Sequence, residues 1–258
     1  MLAGCVTQQE SVFDSNPSQE DALKARVELA RSYIGEGNWD DAKRNLKMAQ
    51  NIDPKSPEVA EAFALVYERT GEYELAEESF ERALSLQRDF SRARNNYAAF
   101  LYSRGANAQA RGRTEEAQER MQAAEEQLQI VIKDTLYDAR PRAFINLGLV
   151  QVQLGKDDDA REAFSRALAM DRGNSLALLE LAHIEYRAGN FAQADRYLEN
   201  YRRFRRQQSP RALWLGIRVA RELQDRDAEA SYTLALRNLY PKSAEFRAYQ
   251  QAVQNGEL

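Results

Sequence analysis

The stretch Gly71–Asp89 reads GEYELAEESFERALSLQRD, and three other stretches of the chain follow the same pattern. Each begins with glycine, has an often aromatic residue two positions later, and continues with alanine, a bulky residue four positions further on and then alanine or tyrosine. The other copies are Gly37–Pro54, Gly155–Gly173 and Gly189–Phe204. The spacing is regular: Gly37, Gly71, Gly105, Gly155 and Gly189 are 34, 34, 50 and 34 residues apart, and Ala42, Ala76, Ala160, Ala194 and Ala228 are 34, 84, 34 and 34 apart.

A period of 34 residues is typical of the tetratricopeptide repeat, a helix–turn–helix unit. The sequence therefore predicts an all-α fold, a right-handed superhelical solenoid of six such repeats with a C-terminal capping helix. We expect the repeats at about residues 23–56, 57–90, 91–140, 141–174, 175–208 and 209–242, after an N-terminal tether at 1–21 and before a capping helix and tail at 243–258. In the capping helix, Phe246, Tyr249 and Val253 should share one face.

Each recurring residue has a physical reason to stand where it does. A small residue such as Ala76 at the start of the second helix lets the two helices approach closely, and Phe80 or Phe164 fills the gap between them. The turn glycine ends the first helix because it adopts a left-handed conformation at no steric cost.

Two repeats depart from the pattern. The third carries about 16 extra residues, mostly between Gly105 and Ala124, and its richness in Ala, Gln, Glu and Arg predicts longer helices, projecting as a finger, rather than a loop. The last repeat has Leu223 where the others have the turn glycine.

The composition argues against catalysis. The chain has one histidine, one cysteine and a net charge of −4, and it contains no HExxH motif, glycine-rich phosphate loop or EF-hand. We therefore expect a non-enzymatic protein without cofactor, metal site or small-molecule substrate, since repeat solenoids usually bind other molecules. An enzyme would have to depend on His183, which we expect to line the groove or to be partly packed.

A run of arginines, YRRFRRQQSPR at residues 201–211, is the densest basic feature. It is consistent with a patch for nucleic acid, an acidic partner or lipid head groups. The same residues also suit the C-terminal end of a helix, where cations interact favourably with the helix dipole. The acidic net charge favours the second interpretation, so we predict no nucleic-acid partner.

The first helix of each pair should line the inner wall, chiefly through its fifth, ninth and twelfth residues. In the last three repeats these positions form an apolar strip, which indicates a partner site for an extended or helical peptide. Packing of this wall on the terminal helix or on a neighbouring unit is an equally open alternative. The candidate partner-binding residues are Val27, Ile34, Leu65, Ile145, Leu149, Val152, Leu179, His183, Tyr186, Leu213 and Ile217.

The only cysteine, Cys5, follows Leu2-Ala3-Gly4, and Leu-Ala-Gly-Cys is the lipobox of bacterial lipoproteins. Acyl chains on Cys5 would anchor the chain to a membrane, and the polar residues 6–19 would serve as a tether. Only Met1 precedes the box, so we expect a translation start further upstream or a trimmed sequence. Residue 6 is Val rather than the Asp that commonly signals inner-membrane retention, which favours the outer membrane.

A lipobox followed by six tetratricopeptide repeats resembles the pilotin lipoproteins of type IV pilus biogenesis, the PilF or PilW family. The resemblance covers nearly the whole chain. Four stretches carry it: residues 25–54, ARNNYAAFLYSRG at 93–105, DTLYDARPRAFINLGLVQVQLGK at 134–156, and residues 215–243.

The resemblance implies a lipid-anchored protein on the periplasmic face of the outer membrane. It also implies binding to secretin subunits of the type IV pilus, delivery of these subunits to that membrane and their assembly into a ring. We expect this protein to act as a monomer. The alternative is a general envelope adaptor that keeps the anchor but binds a different client.

Overall fold

The computed structural model describes residues 18–256, which form thirteen α-helices and, within that range, no strand. The helices are α1 (Gln19–Glu36), α2 (Trp39–Ile52), α3 (Pro57–Thr70), α4 (Tyr73–Leu86), α5 (Ser91–Ala110), α6 (Thr114–Val131), α7 (Arg140–Gln153), α8 (Asp157–Met170), α9 (Ser175–Arg187), α10 (Phe191–Phe204), α11 (Pro210–Glu222), α12 (Arg226–Leu239) and α13 (Ala244–Gln254). The predicted all-α tetratricopeptide fold is confirmed: six successive helix pairs precede the single helix α13.

Local signals in the sequence begin and end these helices. Before α3, the Ser56 hydroxyl accepts a hydrogen bond from the backbone N–H of Val59, and Pro57 takes the first helical position, where it loses no hydrogen bond. At its other end Gly71 has φ +82°, and its N–H donates to the carbonyl of Glu68. This left-handed residue ends the helix and turns the chain into α4.

Of the described residues, 18–97 and 98–256 form two compact units. In the first unit, α1, α2 and α3 enclose a core that includes Ala42, Leu46 and Val66, each fully buried. The rings of Phe80 and Tyr97 stack with their centroids 5.3 Å apart. As predicted, Ala76 and Phe80 are completely inaccessible to solvent.

The second unit repeats this packing. Ala160 and Phe164 are fully buried in α8, and Gly148 of α7 faces the Phe164 ring directly. Around α9, α10 and α11 the core includes Leu198, Leu215 and Val219. The pattern of small and bulky residues read from the sequence thus describes the contacts within the α3–α4 and α7–α8 pairs.

Gly105 does not end the first helix of the third repeat, and this part of the prediction is wrong. Gly105 lies inside α5, and the left-handed turn residue is Gly112, with φ +74°. The extra residues lengthen both α5 and α6, as their composition predicts, so the turn moves toward the C-terminus. At residue 105 a Cβ atom would lie 3.0 Å from the Met121 methyl group and 3.2 Å from the Ala117 carbonyl oxygen, so Gly105 serves close packing between α5 and α6.

The turn between α11 and α12 also differs from the prediction. The left-handed residue there is Gln224, with φ +59°, one position beyond Leu223. Asp225 then caps α12, so Ala228 follows its cap by three residues, whereas Ala42 follows Asn38 by four. One residue corresponds to about 100° of helix rotation. Ala228 is only half-buried, although Gly216 approaches the Tyr232 ring as closely as Gly148 approaches Phe164 in the α7–α8 pair.

The predicted capping helix is present as α13. Phe246 and Tyr249 pack on the last core cluster, which also contains Tyr232 and Leu236. Val253 lies two turns beyond Phe246 on the same helix but remains 46% exposed, whereas the neighbouring Ala252 is buried. A helix of this kind covers the apolar face that the last repeat would otherwise leave open.

Candidate functional site

Two candidates for the inner wall are not available to a partner. Leu213 and Ile217 of α11 are 1% and 0% exposed, and they belong to the core cluster that includes Leu236 and, on α13, Phe246. In the last repeat, therefore, the inner wall packs on the terminal helix and is not open to a partner. The shift of the α11–α12 turn and the presence of α13 together explain why Ile217 is enclosed, whereas its counterparts Leu65, Leu149 and His183 are half-buried.

The wall is partly open along α7 and α9. Leu149 and Val152 of α7 are half-buried, as are His183 and Tyr186 of α9. The remaining candidates on these helices, Ile145 and Leu179, are 7% and 6% exposed and contribute mainly to the core. The second unit thus presents a mixed apolar and aromatic surface rather than a continuous apolar strip.

In the first unit, Ile34 and Leu65 are half-buried, and Val27 is part of the core. A cavity of about 500 Å³ adjoins Val27 and is lined by apolar and charged side chains. These lining residues are Glu20, Leu23, Lys24, Val27, Glu28, Arg31, Glu58 and Arg92.

Glu61 of α3 is a fully buried carboxylate beside this region. It forms an ion pair with Arg31 of α1, and the side-chain amide of Asn96 donates to its Oε1 at 2.6 Å. The Nε of Arg92 lies 3.9 Å from Oε2. A buried charge needs such partners, so this network fixes the side chains that border the cavity.

A polar and aromatic arrangement that the sequence did not predict lies between α9 and α11. The Arg218 guanidinium stacks over two rings, 4.7 Å from the centroid of Tyr186 and 5.3 Å from that of Trp214. Two turns toward the N-terminus of α11, Arg211 donates two hydrogen bonds to Glu180, at 2.5 and 3.0 Å. We call this set (Glu180, His183, Tyr186, Arg211, Trp214 and Arg218) the Arg218 cluster.

Helical spacing explains how the Arg218 cluster forms. Glu180, His183 and Tyr186 follow one another at intervals of three on α9, so they share a face. On α11, Arg211 faces Glu180 and Arg218 faces Tyr186, which shows that the two helices run parallel here. His183 therefore lies between these two contacts.

The ring of His183 has an unusual environment. Its Nε2 is buried and has no hydrogen-bond partner among residues 18–256. Burial, together with the smaller effect of the nearby guanidinium groups of Arg211, Arg218 and Arg187, lowers the pKa of His183 from 6.5 to about 3. The imidazole is therefore neutral at physiological pH. Burial also raises the pKa of Tyr102, as does the nearby carboxylate of Glu180.

One sequence signal could have revealed Arg218. It stands in the otherwise apolar stretch ALWLGIRVA at residues 212–220. Counting only the fifth, ninth and twelfth residues of each repeat selects Leu213, Ile217 and Ala220, which α13 covers. The open face of α11 is instead the one that carries Trp214 and Arg218, one residue further along the helix.

The arginine run at residues 201–211 begins in the last turn of a helix, as the second interpretation of the sequence predicted. Arg202 and Arg203 lie in the last turn of α10, which ends at Phe204. Arg202 stacks over the Tyr232 ring at 5.6 Å and is 4.0 Å from Glu199. These contacts are those expected of cations at a helix C-terminus.

Other kinds of site have little support within the described part of the chain. Residues 18–256 contain no group of three or more His, Cys, Asp or Glu side chains arranged to hold a metal ion. None of the described helices is long and apolar enough to cross a membrane. Cys5, the predicted lipid attachment residue, lies outside the described residues.

The helix pairs and their turns define the class of protein: a tetratricopeptide-repeat protein. Models of the tetratricopeptide repeat match residues 24–56, 58–90 and 138–214. The chain is 35% identical to the type IV pilus assembly protein PilF of Pseudomonas aeruginosa over 250 residues, which is 96% of this chain and 93% of that protein. The chain therefore belongs to the PilF family of type IV pilus biogenesis proteins.

Solved structures agree with this assignment. The structure of Pseudomonas aeruginosa pilF superposes with a TM-score of 0.80 at 34% identity, covering 91% of this chain and 99% of that one. The crystal structure of PilW, described as a widely conserved type IV pilus biogenesis factor, gives a TM-score of 0.74 at 24% identity, covering 88% of this chain and 98% of that one. The second likeness supports the fold.

Proposed function

We propose that this protein is a pilotin: a lipoprotein of the outer membrane that binds secretin subunits and promotes their assembly for type IV pilus biogenesis. The observation that carries the proposal is the near full-length similarity to PilF. The Leu-Ala-Gly-Cys sequence ending at Cys5 supports a lipid anchor, with the repeats on the periplasmic face. The protein would act as a monomer, without catalysis, cofactor, nucleic acid or small-molecule substrate.

The mechanism we propose is physical rather than chemical. The lipid holds the repeats at the membrane surface, and the open wall captures an apolar segment of a secretin subunit. Tethering raises the effective concentration of captured subunits where the ring must form. Ring assembly then becomes faster without any change in covalent bonds.

We choose the residues that would contact the secretin by the exposure of their side chains to solvent. Ile34 and Leu65 in the first unit, and Leu149, Val152 and Tyr186 in the second, are partly open and apolar or aromatic. Leu213 and Ile217 are excluded because α12 and α13 surround them in the core. Leu179 is a poor site for mutation, because a charge introduced at a 6% exposed position would disturb the core itself.

The experiment that tests capture uses Leu149→Glu, which adds a charge to the open wall. We expect this variant to fold normally and to lose co-purification with the secretin from detergent-solubilised envelopes. Leu234→Glu on α12 is the matched control, because Leu234 is 51% exposed and lies outside the proposed contact set. If Leu149→Glu and a second wall variant, Tyr186→Glu, both retain the secretin at the wild-type level, the wall is not the capture surface.

A further inference from the structure

Arg218 carries a positive charge that no carboxylate of the described chain compensates. Its guanidinium contacts the Tyr186 and Trp214 rings, and its Nε is buried without a hydrogen-bond partner among residues 18–256. Burial lowers the pKa of Arg218, but an arginine remains protonated at neutral pH. A buried, unpaired N–H group on a cation is costly, and a bound anion would satisfy it.

The neighbouring arginines do not need such an anion. Arg211 is paired with Glu180, and Arg187 makes hydrogen bonds to Asp157 at 2.7 and 3.1 Å. Each of these pairs is neutral overall. The local surplus is therefore a single positive charge on Arg218.

His183 adds a second unsatisfied group to the same face. It lies one helical turn before Tyr186 on α9, and its Nε2 has no partner in the described chain. A neutral imidazole can donate one hydrogen bond from this nitrogen. Arg218 Nε and His183 Nε2 are thus two nitrogens, unpartnered within residues 18–256, beside the seam between α9 and α11, where the Arg218 side chain is partly exposed.

The surroundings of these donors are aromatic. The Trp214 ring meets Tyr249 of α13 edge-on at 6.3 Å, and Tyr186 contacts Phe191 at 5.5 Å. Tyr186, Trp214 and Tyr249 are all partly exposed. Such a surface suits an apolar side chain placed next to the anionic group of the ligand.

We propose that the Arg218 cluster binds the carboxylate of an extended peptide segment in which an aromatic or aliphatic side chain neighbours the carboxylate. Arg218 makes charge-assisted hydrogen bonds to this carboxylate, and His183 donates to it or to an adjacent peptide carbonyl. One surplus charge matches one carboxylate, whereas a nucleic acid would require a row of cations along its phosphates. This site does not depend on whether the captured protein is a secretin.

The test uses the full chain with Trp39→Phe, which leaves Trp214 as the sole tryptophan and makes its fluorescence a local signal. Four short peptides serve as probes: acetyl-Phe-Asp-Phe-amide, its neutral counterpart acetyl-Phe-Asn-Phe-amide, acetyl-Phe-Asn-Phe with a free C-terminal carboxylate, and acetyl-Ser-Asp-Ser-amide. Comparing the affinities of the first and third peptides shows whether the site prefers the carboxylate of a side chain or that of a chain terminus. The fourth tests the need for an apolar neighbour, and inorganic phosphate serves as a simple anion.

We expect at least one of the two Phe peptides with a carboxylate to bind roughly tenfold more tightly than the neutral peptide, or better, because a charge-assisted hydrogen bond is involved. In Arg218→Gln, and to a smaller extent in His183→Gln, this preference should disappear while the circular dichroism spectrum stays unchanged. Arg166→Gln on the exposed face of α8 is the control and should retain it.

Three results would overturn the proposal. The first is equal affinity for acidic and neutral peptides, or no saturable signal with any of them. The second is a preference that survives in both Arg218→Gln and His183→Gln. The third is binding of phosphate, or of the Ser peptide, as tightly as the best Phe peptide, which would indicate a simple anion site. A loss of secretin capture with peptide binding intact would instead count only against the proposed pilotin function.

Discussion

Gly148 and Phe164 lie so close together that a Cβ atom at residue 148 would be 2.7 Å from the Phe164 ring. Phe164 is fully buried, so its ring has no free space into which it could move. This contact joins α7 to α8, immediately behind the wall residue Leu149. The absence of a side chain at residue 148 therefore sets the distance between these two helices.

Gly148→Ala should destabilise the second unit by about 1–3 kcal/mol, because overpacking forces the ring or the backbone to shift. Urea unfolding followed by circular dichroism measures the change. Gly35→Ala is the control, since its Cβ would meet nothing within 4 Å. That variant should be neutral or slightly stabilising, as alanine is the better helix former. Equal stability of Gly148→Ala and the wild type would contradict the packing described.

Arg31→Met should destabilise the first unit by about 3 kcal/mol, because it leaves the buried Glu61 carboxylate without its closest cation. Asn96 and Arg92 remain near Glu61 and limit the loss. The same denaturation experiment applies. Arg166→Met, which breaks the exposed pair with Glu162, should cost less than about 1 kcal/mol. Similar losses in both variants would show that the burial of Glu61 has no energetic consequence.

Gln224→Gly should stabilise the protein by about 0.5–1 kcal/mol. Gln224 has φ +59°, a conformation in which a side chain is strained and glycine is not. Gly189→Ala provides the opposite change at an equivalent turn with φ +76°, and it should be destabilising. Thermal unfolding of both variants measures the two shifts, and a lower midpoint for Gln224→Gly would argue against strain at this turn.

His183 makes the stability of the fold depend on pH. Its pKa is about 3 in the folded chain, against an ordinary value of 6.5 in the unfolded chain. Between pH 6.5 and pH 3 the unfolded chain binds a proton that the folded chain does not, so the free energy of unfolding falls as the pH falls through this range. This loss is at most about 1.4 kcal/mol per pH unit for one group. Above about pH 7.5 the residue is almost entirely neutral in both states and contributes little pH dependence.

His183→Gln should therefore lose less stability than the wild type between pH 6.5 and pH 4.5. In the wild-type protein, the imidazole proton signals in NMR spectra should not titrate over the same interval. A titration midpoint near pH 6 would show that the ring is more open to water than its surroundings imply.

Much of the fold could be predicted because its determinants are local. Ala76 and Phe80 keep their spacing in every regular repeat, and helical geometry turns that spacing into contact between the two helices of a pair. Prediction fails where one glycine could serve two purposes. Gly105 fits the 34-residue spacing of turn glycines, yet the helix-forming residues that follow extend α5 to Ala110, and Gly105 packs against Met121 instead.

The candidate site was predicted less well than the fold, for two physical reasons. The open wall in the last repeat is rotated by one residue, so Leu213 and Ile217 are enclosed, while Arg218 contacts Tyr186 of α9 and Trp214 remains partly exposed. The enclosure also depends on α13, whose docking is a tertiary contact that a repeat consensus does not contain. Capture surfaces in such proteins depend on which helix faces remain uncovered, and repeat spacing alone does not specify them.

The central claim, secretin assembly, is tested most directly in a strain that lacks this protein. Membrane fractions are separated, left unboiled and blotted for the secretin. We expect the detergent-resistant secretin ring to disappear from the outer membrane and the monomer to collect in the inner membrane. The wild-type protein should restore the ring, and Cys5→Ser should not. Rings that still form in the outer membrane of the deletion strain would contradict the proposed pilotin function and indicate a different client.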